Sequence, residues 1–329
     1  MTIHLIATGG TISSHHDGEG WTELDGAALV GELAADLDVA GIDVEVADVR
    51  SGPSSNLSVD DMLAVAERVR SALAAGADGV VVTHGTDTIE LTAFVTELVL
   101  GIDPDRPPVV FTGSMRVHSH MAPDGPTNML DAIRTAAHPA AIGREVMVCL
   151  DGTLHAAARV SKVDAGSLDA FSSAPIGPIG AVRNGVPEFV DGAFPPSGRP
   201  PVEAFERDVP LVSCFPGMPA DEVSRMLNGR RSAVLEVFGD LNVPVALWGP
   251  IHEAWRAGTL VVLASRAFTA TSRNDGLDLL GAIGAGGLTA QKARLVAMAA
   301  LGSCTDRDGA AEFVARHRLI RPPHDRSST

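Results

Sequence analysis

Short apolar runs rich in valine and isoleucine alternate with longer stretches of helical period along most of this chain. The run 79–85, "GVVVTHG", is apolar almost without interruption, as expected for a strand covered on both faces of a sheet. "IHLIATG" at the N-terminus and "VEVADV" (44–49) read as strands of the same kind. Between them and after them lie helical patterns. Over 58–76, "SVDDMLAVAERVRSALAAG", Ser58 stands at the N-cap, Asp61 at the capping-box position and Gly76 at the stop. "DTIELTAFVTELVL" reads as a helix, "PPVVFTG" as a strand, "PTNMLDAIRTAA" as a helix and "REVMVCLDG" as a strand. Such alternation requires an α/β fold with a parallel sheet.

Residues 182–210 break this rhythm with six prolines and few apolar runs, and read as a linker or excursion. The alternation then resumes through "PLVSCF", "PADEVSRMLNG", "SAVLEVFG", "PIHEAWRAG" and "TLVVLAS", followed by two or three helices. The expected organisation is a larger N-terminal parallel-sheet α/β domain over 1–190, a linker over 191–209 and a smaller C-terminal α/β domain over 210–329. The final "RPPHDRSST" reads as a frayed end.

Composition narrows the function classes. With 329 residues and 45% hydrophobic residues the chain can bury a sizeable core. A net charge of −16 disfavours nucleic acid and anionic membrane as partners, since both reward a basic face. No apolar run reaches the ~18 residues of a membrane span, and the N-terminus lacks a secretion-signal pattern. The three cysteines, Cys149, Cys214 and Cys304, are far apart and form no C-x-x-C, which suits a reducing compartment, the cytoplasm. Two further counts matter: there is no tyrosine, and the lysines are Lys162 and Lys292 alone.

In open parallel sheets, ligands bind beyond the carboxyl ends of the strands. Four strand ends in succession carry small hydroxyl residues and glycines: Thr8-Gly9-Gly10-Thr11, Gly52-Pro53-Ser54-Ser55, His84-Gly85-Thr86-Asp87-Thr88 and Thr112-Gly113-Ser114-Met115-Arg116. One such cluster is an ordinary polar turn, but four together indicate a site. A phosphate loop would need G-x-G-x-x-G or G-x-x-x-x-G-K-[ST], and neither is present. His118-x-His120 and His15-His16-Asp17 offer ligand types without a third-ligand pattern, and G-x-S-x-G is absent. What remains is a hydroxyl nucleophile assisted by a lysine; Lys162 in "ARVSKVDAGSLDAF" can take that role if its amine is desolvated, but a lysine in such a run is more often an ordinary surface residue, and spacing alone does not decide between the two.

Taken in order, "TGGTI" (8–12), "THGTDTIE" (83–90), "TGSMR…APDGPTN" (112–128), "SKVDAGSLDAF" (161–171) and "LTAQKAR" (288–294) resemble the bacterial-type L-asparaginase (asparaginase/glutaminase) family over nearly the whole chain. The resemblance implies hydrolysis of asparagine to aspartate and ammonia by threonine acyl transfer, without metal or cofactor. It implies two α/β domains and a homo-oligomer, dimer or tetramer, with sites between subunits. Thr11 falls on the nucleophile and Thr86 on a second catalytic threonine, with Asp87 and Lys162 completing its triad. Ser54 and Ser55 match positions that bind the substrate's backbone end, and Asn242 in "FGDLNVP" matches a contribution from a neighbouring subunit. Gly10, Gly85 and Ser114 are also expected at the substrate; Asp87 can hold its ammonium, backbone N–H groups at the start of the helix after Thr86 can hold its carboxylate, and turn N–H groups near Ser114 can cradle an oxyanion.

The family pairs its first threonine with a loop tyrosine, oriented by a glutamate of the neighbouring subunit. This chain has no tyrosine. Its loop, "SSHHDGEGWTELDG" (13–26), has the composition of a mobile lid and offers His15, His16 or Asp17 as replacements. The glutamate's region aligns with "SRNDGLDLL", where Asn274 and Asp275 stand. A variant first triad, a Thr86–Lys162 mechanism that carries more of the work, and a weakened enzyme all fit. So do two neighbouring functions, a glutaminase-leaning amidase and a non-catalytic asparagine-binding sensor. A role within a tRNA-dependent amidotransferase fits less well.

Overall fold

The computed structural model describes residues 1–49, 52–190, 198–267 and 276–319. The chain divides into two compact units, Met1–Pro201 and Val202–Thr329, and the division falls within the stretch read as linker.

The first unit is built on an eight-stranded sheet. From edge to edge its strands are Val186–Phe189, Gly180–Arg183, Thr153–Ala156, Met147–Leu150, Val109–Thr112, Gly79–Thr83, Thr2–Ala7 and Asp43–Asp48. The last five of these run parallel, joined by the helices Val59–Ala74, Ile89–Leu100 and Gly125–Ala136. The central strands are wholly buried, which is why they read as continuous apolar runs. Ser58 caps the first of the three helices and forms a full capping box with Asp61.

The expected parallel sheet is in fact mixed. Three further strands add antiparallel at one edge. The reason is turn chemistry. Asp151 and Gly152 both take positive φ, 47° and 65°, as do Asn184 and Gly185, at 51° and 74°. Asp-Gly and Asn-Gly are the residue pairs that favour two-residue hairpin turns. The reading of 182–210 as linker or excursion therefore misses a hairpin: Gly180–Arg183 and Val186–Phe189 pair across Asn184-Gly185. The loop 13–26 also contains a hairpin, with Ser14–His16 pairing antiparallel to Trp21–Glu23.

The second unit is a four-stranded parallel sheet, Leu211–Ser213, Ser232–Val237, Leu260–Ser265 and Ala282–Gly284, with helices Ala220–Leu227, Trp248–Arg256, Ala290–Ser303 and Arg307–Arg316. The short last strand lies in the glycine-rich "GAIGAGG". Its core includes Val223, Leu235, Ile251 and Leu263, all fully buried. The final nine residues, read as frayed, lie outside the described residues. No helix among the described residues is long and apolar enough to cross a membrane.

Candidate active site

Register brings the strand ends level. Ala7 lies opposite both Asp48 and Thr83, and Thr83 opposite Thr112, so the turns that follow leave the same edge of the sheet. Backbone hydrogen bonds continue into the turns: Thr8 N donates to Thr83 O at 3.1 Å, and His84 N to Thr112 O at 2.8 Å. The glycines allow the turns to pack backbone against backbone. A Cβ on Gly10, whose φ is +95°, would lie 2.5 Å from the Cα of Gly85. One on Gly85 would lie 2.7 Å from Ser54 Oγ, and one on Gly113 would lie 2.4 Å from His84 O.

These turns enclose a cleft of about 210 Å³. Of the residues expected at a site, Gly10, Thr11, Ser54, Gly85, Thr86 and Asp87 line it. Lys162 joins them through its side chain. Its Nζ donates to Thr86 Oγ1 at 2.9 Å and to Asp87 Oδ1 at 2.8 Å. The Lys162 side chain is 19% exposed and that of Asp87 is 60% exposed, so the carboxylate keeps an open face. A two-residue strand, Ser161–Lys162, pairs with Phe171–Ser172, and Lys162 N donates to Glu90 Oε2 at 2.5 Å.

Other expected residues are placed elsewhere. Ser55 is exposed and Ser114 is buried, its Oγ donating to Arg116 O at 2.7 Å, and neither lines the cleft. Asn242 belongs to the second unit, where its Nδ2 donates to Gly239 O at 2.7 Å. The loop side chains offered as tyrosine replacements are engaged in other contacts. His15 Nδ1 lies 3.3 Å from His118 Nδ1, the His16 ring packs edge-on against Trp21, and Asp17 Oδ1 accepts from the N–H groups of Glu19 and Gly20. Those two N–H groups hold the Asp17 carboxyl below the usual carboxylate range. Asn274 and Asp275 lie outside the described residues.

Sequence reasoning misses three contributions. Glu23 and Ser14, both on the hairpin, line the cleft. Asp124 receives the N–H groups of Met115 and Arg116, both at 2.9 Å, and Asn128 Nδ2 donates to Gly113 O at 3.0 Å, so "APDGPTN" acts as the buttress of the fourth turn. His84 is fully buried beside the cleft, and burial pushes its imidazole down to about 4, so it is neutral at pH 7. Its Nδ1 pairs with Gly85 O at 2.8 Å. The sequence signal for Glu23 is its place on the loop that immediately follows Thr11.

A family model described as "Asparaginase, N-terminal" matches residues 2–193, and one described as "Glutaminase/Asparaginase C-terminal domain" matches 208–313. The chain belongs to the asparaginase family. It is 35% identical to a "Probable L-asparaginase" of Deinococcus radiodurans, over 93% of this chain and 94% of that protein. It is 29% identical to "L-asparaginase 2" of Escherichia coli, over 92% of this chain and 90% of that protein. Its fold superposes on the crystal structure of a "Probable Cytoplasmic L-asparaginase" from Campylobacter jejuni with a TM-score of 0.83 at 26% identity, covering 95% of this chain and 98% of that one. Membership extends over both units, so the cleft described above is a cleft of an asparaginase fold.

Proposed function

We propose that this protein hydrolyses L-asparagine to L-aspartate and ammonia through an acyl-threonine intermediate. The observation that carries the reading is the lysine amine held between Thr86 Oγ1 and Asp87 Oδ1, at 2.9 and 2.8 Å, at the edge of the cleft that Thr11 lines. An amine hydrogen-bonded to a hydroxyl is a means of activating it or a water beside it. Thr11 supplies the attacking hydroxyl. The open face of Asp87 receives the substrate's ammonium, and turn N–H groups hold the oxyanion, a contact worth ~3 kcal/mol of barrier.

Asparagine and glutamine differ by one methylene, which a pocket distinguishes by roughly 1–3 kcal/mol. Glutamine is therefore the second substrate to test. The enzyme acts as a homo-oligomer in the cytoplasm. Support for the oligomer comes from the second unit, where Trp248 and Leu279 are more than half exposed at a cavity of about 460 Å³ that Asn242 also lines. Support for the compartment comes from the cytoplasmic designation of the Campylobacter relative and from three cysteines that remain free thiols.

The test is ammonia release from L-asparagine and L-glutamine by the whole chain, with Lys162→Met alongside. Turnover is expected, and kcat is expected to fall at least ~10²-fold in the variant while its thermal melt is unchanged. Asparagine binding by calorimetry without ammonia release would overturn the reading in favour of a sensor.

A further inference from the structure

A threonine hydroxyl attacks an amide only when a base takes its proton. Lys162 is committed to Thr86 and Asp87. The chain has no tyrosine, so no phenol is available. Of the described residues that line the cleft, two carry carboxylates, Asp87 and Glu23, and Asp87 is paired with Lys162. Among the described residues the Glu23 carboxylate has no hydrogen-bond or ion-pair partner. We propose that Glu23 is the proton acceptor for Thr11. The proposal rests on the amidase reading above and names the base which that reading leaves open.

The hairpin places Glu23 beside the nucleophile's turn. Ser14 and Glu23 are directly opposed across the antiparallel pair, which puts their Cβ atoms ~5 Å apart on one face. Ser14 in turn is fastened to the turn that carries Thr11. Its N donates to Thr11 O at 3.2 Å and its Oγ to Gly10 O at 3.1 Å. Leu24 N donates to Ser13 O at 2.9 Å and closes the base of the hairpin just beyond Glu23.

A clip on the other side prevents the hairpin from swinging away. His118 N donates to Ser14 O at 2.8 Å, and His16 N donates to Ser119 Oγ at 3.0 Å. His118 Nε2 lies 2.8 Å from Glu32 Oε1 and His118 Nδ1 lies 3.3 Å from His15 Nδ1. A carboxylate only accepts, so a His118 that donates to Glu32 through Nε2 ties the hairpin-facing segment to the Glu32 side chain.

The chemistry balances. The Thr11 Oγ1 proton passes to the Glu23 carboxylate as the Oγ1–carbon bond forms at the amide. The protonated Glu23 then gives that proton to the leaving nitrogen as the carbon–nitrogen bond breaks, releasing ammonia and an acyl-threonine ester. Water attacks the ester, its proton passes to Glu23, and that proton returns to Thr11 Oγ1 as the acid departs. No redox partner is required.

The experiment uses the whole chain with Glu23→Gln and Glu23→Asp. Ammonia release from L-asparagine is followed across the acid and neutral range, and acylation of Thr11 by an aspartate β-aryl ester is followed by mass spectrometry. Glu23→Gln is expected to lower kcat and the acylation rate ~10²–10⁴-fold and to keep KM within a few-fold, with Glu23→Asp between it and the parent. Parental kcat and acylation rate in Glu23→Gln would overturn the proposal. So would a raised KM with kcat kept, which would make Glu23 a ligand for the substrate's ammonium. A parent chain that is acylated at Thr11 but releases no ammonia fails the amidase reading instead, and its acylation rate with and without the Glu23 carboxyl still decides the base.

Discussion

A methyl group on Gly10 would sit 2.5 Å from the Cα of Gly85, at a φ of +95° that side-chain-bearing residues avoid. Both terms act against Gly10→Ala: backbone strain and a clash with main chain that has no rotamer to yield. The variant is expected to lose about 1–3 kcal/mol of stability and most of its turnover, checked by urea unfolding and ammonia release on the same preparation. At this scale, the four residues that the family resemblance singles out, Thr11, Thr86, Asp87 and Lys162, come together at the cleft. Glu23 is not singled out in that way. It reaches the cleft through its pairing with Ser14, and nothing local marks which exposed residue of a polar loop a hairpin will bring to the cleft. Ser55 and Ser114 show the converse. They stand next to lining or turn residues in sequence, yet the backbone points one to solvent and buries the other.

Among the elements, long amphipathic helices are legible nearly to the residue. The pattern 58–76 becomes Val59–Ala74, with Ser58 Oγ accepting from Asp61 N and Asp61 Oδ2 accepting from Ser58 N at 2.8 Å. Removing the cap by Ser58→Ala leaves an orphaned N–H in the first turn. It is expected to cost about 1 kcal/mol, seen as a lower urea midpoint with an unchanged slope. Short strands are legible only where they are continuous apolar runs, as at Val109–Thr112 and Met147–Leu150; Thr153–Ala156, Ser161–Lys162, Phe171–Ser172, Val186–Phe189 and Ala282–Gly284 escape sequence reading. A period of two cannot be recognised in so few residues, and such strands exist because a neighbour offers a ladder. The Asp151-Gly152 and Asn184-Gly185 pairs are the available clues, since hairpin turns are local chemistry.

Over the whole molecule, two buried groups in the first unit set opposing pH dependences. Burial, reinforced by the Glu97 carboxylate, pushes Glu145 up to about 7, against the partial relief of Arg159, Arg199 and Arg144. Its folded pKa is raised, so the stability it contributes is present below its unfolded value near 4.5 and lost as pH rises through about 7. His84 is depressed to about 4, so its contribution is present above 6.5 and lost as pH falls through about 4. Between pH 4.5 and 6.5 the two partly cancel. Glu145→Gln removes one arm: the variant is expected to gain stability relative to the parent above about pH 7 and to lose it more steeply on acidification, read from urea midpoints across that range. The sequence by itself determined the α/β class, the main helices and the central strands, because periodicity and capping are properties of neighbours along the chain. Tertiary structure alone decided the mixed sheet edge, the burial of His84 and Glu145, the approach of Lys162 to Thr86 across 76 positions, and the entry of Glu23 into the cleft. Each of these depends on which distant segments share a surface, and that is settled by packing and by backbone hydrogen bonds between segments.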